Sequence, residues 1–152
     1  MDITKIVQEI QYVLSPAVMV SSSALLLLGF QNKFSNLASR FRALNHEKRV
    51  LSQKDRRDAS EEDRLINLNS QIHNLMCRAS FVKNAIVLTY LAIVSFAGTS
   101  VLIFLNIYSL FQLTHLMIIW FLLGLLLIFV SAILMILETN LFYKVISLER
   151  RS

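Results

Sequence analysis

Unbroken apolar runs alternate along this chain with stretches where apolar residues recur every three or four positions. Three runs lie within residues 15–32, 85–107 and 116–137. Runs approaching 20 apolar residues predict membrane-spanning helices. Residues 33–84, between the first two, are polar but periodic. Phe34, Leu37, Phe41, Leu44, Lys48 and Leu51 alternate in steps of three and four, and Leu65, Leu68, Ile72, Leu75, Ala79 and Val82 repeat the pattern. Two such seams with a turn at about residues 52–60 predict an antiparallel helical hairpin. No Gly or Pro stands between Phe30 and Leu51, so the first span is expected to continue into the first arm without a break. The second arm runs likewise from Ser60 into the next apolar run. Ser60-Glu61-Glu62-Asp63 has the form of a capping box, with acids where a helix dipole favours them. The expected fold class is an all-α integral membrane protein. It has three transmembrane helices and a cytoplasmic antiparallel hairpin made by extensions of the first two.

The ends are less uniform. In residues 2–14, Ile3, Ile6, Val7, Ile10 and Leu14 share one helical face, the pattern of an amphipathic helix at a membrane surface. The same residues also fit a simple extension of the first span, kinked at Pro16. Ser15 suits an N-cap and Pro16 a first helical position. Pro16 to Phe30 is a short span, about 22 Å of helix, and it is rich in small residues. Ser15, Ser22, Gly29 and Asn36 are spaced by seven, and Gly124 and Ser131 repeat that spacing in the third span. Such stripes let membrane helices approach closely; the first is equally suited to lining a narrow hydrated path. Residues 108–115 form an uncharged outer link, and residues 138–152 a basic tail that starts as helix.

Composition agrees with membrane insertion: 55% of residues are hydrophobic, 16% are charged, and the mean hydropathy is +0.58. Eleven of the fifteen Lys and Arg lie from Lys33 to Lys83, and the link at 108–115 has none. Because loops rich in Lys and Arg stay inside, the expected topology has the N-terminus outside, with hairpin and C-terminus cytoplasmic. Tyr12, Tyr108 and Trp120 would then mark the outer interface, and Tyr90 and Tyr143 the inner one. The first residues lack the positive start of a cleaved signal peptide.

The stretch Ser15 to Glu47 resembles an uncharacterised bacterial three-span membrane-protein family, a domain of unknown function. The matching features are Ser15-Pro16, the serine-and-leucine run to Gly29, Asn32-Lys33, and Arg40-x-Arg42-Ala43-Leu44. In that pattern an acid commonly precedes the first Arg of the pair, whereas Ser39 stands here. The resemblance implies a bacterial inner-membrane protein and brings no activity with it.

Chemistry is sparse. Glu138 follows twenty-two apolar residues, at the inner edge of the third span. An ionisable group at that depth needs a partner or water. Lys83 and Lys33 sit at similar depths and are the expected partners; the alternative is a ring of Glu138 carboxylates at the inner mouth of a pore. Arg40, Arg42 and Arg78 are expected at the lipid headgroups. Asp55, Asp58, Glu61, Glu62 and Asp63 alternate with Lys and Arg, which favours a solvated helix start over a cation site. His46 and His73 lie on opposite arms as seam-edge residues, and Cys77 cannot form an internal disulfide. No metal or cofactor constellation, nucleophile–base pair or phosphate-binding glycine loop is present, so no enzyme is expected. Interleaved acids and the lack of an aromatic platform argue against nucleic acid.

Two functions remain. The first is a homo-oligomeric pore for small ions, with Ser15, Ser22, Ser23, Gly29, Gln31 and Asn32 lining it or packing around it. The second is a non-conducting scaffold or adaptor whose hairpin docks a cytoplasmic protein partner.

Overall fold

A computed structural model describes residues 3–53, 59–108 and 114–149, with side chains described over most of residues 10–53, 59–106 and 114–140. Those residues form three helices and no strand: α1 (Ile3–Ser52), α2 (Ala59–Tyr108) and α3 (Thr114–Glu149). Each is long and apolar enough to cross a membrane. This makes the chain a multi-pass membrane protein, since an α-helix satisfies its backbone groups within its own segment, as a lipid interior requires.

α1 and α2 run for 50 residues each, straight through the points where apolar sequence gives way to polar. Nothing in either sequence stops helical hydrogen bonding at those points. Ser15 and Pro16 lie inside α1 rather than at its start. Residues 3–14 already carry a helical period, so the helix begins before the proline. Pro16 then removes only the bond to the Tyr12 carbonyl, a loss tolerated in membrane helices. Ser60 likewise lies one residue inside α2, which opens at Ala59 and carries Glu61 and Glu62 in its first turn. α3 extends beyond the third apolar run to Glu149. The expectations for Asp55 and Asp58 and for the side chains of Tyr108 and Tyr143 fall outside the described residues.

α2 is the central element and packs against both of the others. Leu68, Leu75, Val82, Ala85, Ala92, Phe96 and Ile103 are buried along it, together with Thr89, Ser95 and Thr99. From Leu75 to Ile103 these positions keep steps of three, four or seven, apart from the adjacent pair Ser95 and Phe96, so one seam crosses from the polar arm into the apolar span. On the α1 side, Leu37 packs with Leu75 and Val82, and Leu44, Ile86 and Met135 lie around them. Polar pairs follow the same contact. Lys48 Nζ donates to Asn69 Oδ1 at 2.9 Å, Arg64 Nη2 to Glu47 Oε1 at 2.9 Å, and Gln31 Nε2 to Tyr90 Oη at 2.8 Å.

The α2–α3 contact is closer and made by small residues. A methyl group on Gly124 would lie 2.6 Å from the Phe96 ring, so only glycine lets the helices meet there. Phe96 is fully buried and packs on Phe121 with ring centroids 5.6 Å apart. Ser95 Oγ donates to the Trp120 carbonyl at 2.6 Å. Thr89 Oγ1, Ser131 Oγ and the Ala85 carbonyl form a closed triangle with sides of 2.8, 2.8 and 2.9 Å. Hydroxyls buried in an apolar contact need such partners, because lipid offers none.

Candidate functional site

Gly124 and Ser131 are seven apart on the face of α3 that meets α2, and Glu138 is the next position in that series. Its side chain is fully buried. Arg78 of α2 reaches it with two donors on one oxygen, Nε at 3.0 Å and Nη2 at 2.8 Å from Oε1. Lys33 of α1 forms an ion pair with the other oxygen, Oε2, which has no directed hydrogen bond. Lys33 Nζ also donates to Thr139 Oγ1 at 3.1 Å, and Thr139 donates onward to the Met135 carbonyl at 2.9 Å. One carboxylate therefore joins all three helices, at the level where each leaves its apolar run.

Sequence position dictates this meeting. Lys33 is the first charge after the first apolar run, and Glu138 the first after the third. Arg78 lies seven residues before Ala85, the start of the second run, and its long side chain reaches across. An unpaired carboxylate at this depth would be strongly disfavoured; two directed bonds from Arg78 and the ion pair with Lys33 make it tenable. Arg78 is 15% and Lys33 34% exposed, so the cluster opens to its surroundings on the lysine side.

The other expected residues divide. Lys83 is exposed and does not join Glu138. Arg78, expected at the lipid headgroups, turns inward instead, because the fully buried carboxylate is the strongest acceptor within its reach. Arg40 and Arg42 are exposed. Glu138 belongs to the interior of a single chain and does not present a free carboxylate outward, which removes the basis for a ring of such groups. Of the small and polar positions on α1, Ser15, Ser22, Gly29 and Asn32 are exposed, and nothing lies within 4 Å of where a Gly29 methyl would stand. Ser23 is buried at 3%, and Gln31 is held by Tyr90. Ser21, Ser22 and Ser23 all donate to carbonyls four residues earlier in their own helix, at 3.2, 2.9 and 2.7 Å. The sequence missed the role of Arg78; the available signal was its place one heptad before Ala85, on the face α2 turns to α3.

Open recesses lie on the arms. One, of about 380 Å³, is lined by Phe34, Leu37, Ala38, Phe41, Arg42, Leu75, Met76 and Ala79, and is almost wholly apolar. Another, of about 510 Å³, follows one face of α1 past Arg42, Asn45, His46, Arg49, Val50 and Gln53. His73 Nε2 lies 3.9 Å from Cys77 Sγ. No group of three metal-ligating side chains occurs among the described residues.

Residues 13–148 match the model of the family described as "Protein of unknown function (DUF2721)". The chain belongs to that family. The match covers all three spans and the Lys33–Arg78–Glu138 cluster together, so the cluster lies wholly within the family's domain. No curated protein and no solved structure matches the chain.

Proposed function

We propose that this chain is the subunit of a homo-oligomeric, non-conducting scaffold of a bacterial inner membrane. The hairpin of α1 and α2 stands antiparallel in the cytoplasm and docks a protein partner, and the N-terminus lies outside. The observation that carries this reading is the closure of Glu138 by Lys33 and Arg78 within one chain. That cluster locks the three helices at the inner boundary, as a rigid base for projecting arms requires. Orientation rests on the Lys and Arg concentrated from Lys33 to Lys83. Docking rests on the apolar recess between Phe34 and Ala79, since apolar surface outside the membrane asks for a cover. Assembly rests on the exposed small face of α1, which contacts nothing in the single chain. Cross-linking in native membranes should give a discrete oligomer. A stoichiometric partner should co-purify with the full-length protein and be lost with Phe41→Glu. Monomer alone, or co-purification indifferent to Phe41→Glu, would overturn the reading.

The second reading is a pore for small ions, favoured by the exposed line Ser15, Ser22, Gly29 and Asn32 on α1. In planar bilayers the scaffold gives no current. A current altered by Ser22→Leu would establish the pore in its place.

A further inference from the structure

The junction of the three helices has more positive charge than its own carboxylate can balance. Glu138 has one negative charge, and Lys33 and Arg78 together have two positive ones. Both carboxylate oxygens are already engaged. Arg40 lies seven residues beyond Lys33 on the same helical face, about 10 Å further along the axis at 1.5 Å per residue. It is exposed and enters no ion pair among the described residues. No acid occurs in α1 from Ile10 to His46, or in α2 and α3 from Arg64 to Leu137. Glu47, the next acid along α1, is engaged by Arg64. The level where the apolar runs end is therefore cationic on α1 and α2, with Lys83 adding to it, and Glu138 of α3 is its one acid among the described residues. The Thr139 hydroxyl, exposed beside the Lys33 ammonium, supplies a neutral polar group at the same point.

We propose that Lys33 and Arg40, with Thr139 accepting from Lys33 and so holding its ammonium in place, form a binding site for the phosphate group of an anionic phospholipid in the inner leaflet. Height selects this ligand. The site begins where the apolar sequence ends, the depth at which headgroup phosphates lie, and the long side chains of Lys33 and Arg40 can both reach into that zone. Cations at this surface attract anionic lipid by about 1 kcal/mol each, or about fivefold in affinity. Lys33 then serves two anions at once: Glu138 inside the bundle and the lipid outside it. A bound lipid would complete the charge balance of the cluster and strengthen the hold of α1 on α3. The inference rests on the membrane placement of the three helices. Its test uses anionic lipid in both leaflets, so the result does not depend on orientation or oligomeric state.

The full-length protein is assembled into nanodiscs of phosphatidylcholine alone or of phosphatidylcholine doped with phosphatidylglycerol. Native mass spectrometry counts retained lipids, and thermal unfolding reads stability. The wild type should retain phosphatidylglycerol preferentially and unfold at higher temperature in its presence. Arg40→Gln, which touches neither Glu138 nor Arg78, should lower the preference about fivefold. Arg49→Gln, on another face and further from the boundary, should leave it unchanged. Lys33→Gln should lower both the preference and the stability in phosphatidylcholine, since it also loosens Glu138. Equal retention of the two lipids would overturn the proposal, as would equal losses with Arg40→Gln and Arg49→Gln. Inorganic phosphate that stabilises the protein in pure phosphatidylcholine, through Arg40, would assign the site to a soluble anion and overturn the lipid.

Discussion

Two stripes of small residues spaced by seven lie on different helices of this protein and meet different fates. On α3, Gly124, Ser131 and Glu138 are all buried against the rest of the bundle. On α1, Ser15, Ser22, Gly29 and Asn36 are all exposed. Spacing alone made them alike. Neighbours separate them: the α3 stripe faces Phe96, Thr89 and Arg78 of α2 and Lys33 of α1, while the α1 stripe is exposed among the described residues. α1 reaches α2 through a different face, that of Ser23, Leu27 and Leu37. A period of seven therefore reports that a helix has a face fit for contact, and says nothing about whether the contact is within one chain or between copies.

The sharpest way to break this contrast is at Glu138. Replacing it with Leu strands Lys33 and Arg78 without a counter-charge, and truncating one member of a buried ion pair costs about 3–5 kcal/mol. Thermal unfolding of the detergent-solubilised protein should fall steeply. The triple change Glu138→Leu, Lys33→Met and Arg78→Met should recover most of the loss, because it removes the charges together. If single and triple variants are equally unstable, Glu138 is not balanced by these two cations. The next effect compares the glycines. Gly124→Ala drives a methyl group to 2.6 Å from the buried Phe96 ring and should cost about 1–3 kcal/mol as the helices shift apart. Gly29→Ala meets open space and should leave unfolding unchanged or slightly favoured, alanine being the better helix former. Gly29→Leu should leave the subunit folded yet reduce cross-linking between copies. Unaltered cross-linking would mean that the α1 stripe is not where copies meet.

Much of this was legible in the residues. The long helices and their passage through the polar boundary followed from the missing breakers between Phe30 and Leu51. The seam positions Leu37, Leu68, Leu75 and Val82 followed from spacing. Glu138 stood out as the first charge after the third run, and Lys33 was one of the two lysines considered for it. The partner that was missed is Arg78, whose heptad spacing from Ala85 marks a contact face but not the group it meets. A guanidinium reaches several residues along its helix, and the direction it takes depends on where α3 lies, which no local pattern encodes. The start of α1 was obscured for a related reason. Ser15-Pro16 has the chemistry of a helix start, but the amphipathic residues before it are equally helical, and a proline that loses one bond does not outweigh them.

The smallest effect compares the serines at the centre of each stripe. Ser131 donates across the contact to the Ala85 carbonyl and shares its hydroxyl with Thr89. Ser131→Ala removes the one bond in that triangle that joins α3 to the α2 backbone. Polar contacts between membrane helices are worth about 0.6 kcal/mol on average. Thr89 still has Ala85 as acceptor, so no buried donor is stranded and the loss should stay near that value. Ser22 donates only to the Val18 carbonyl of its own helix. Ser22→Ala gives up a bond that other helical contacts make redundant, and unfolding should not move. Equilibrium unfolding in mild detergent resolves the pair if both are measured against the same wild type. If Ser22→Ala proves the more damaging of the two, the exposed face of α1 is already engaged in the solubilised protein, and the distinction between the stripes is one of partner rather than of contact.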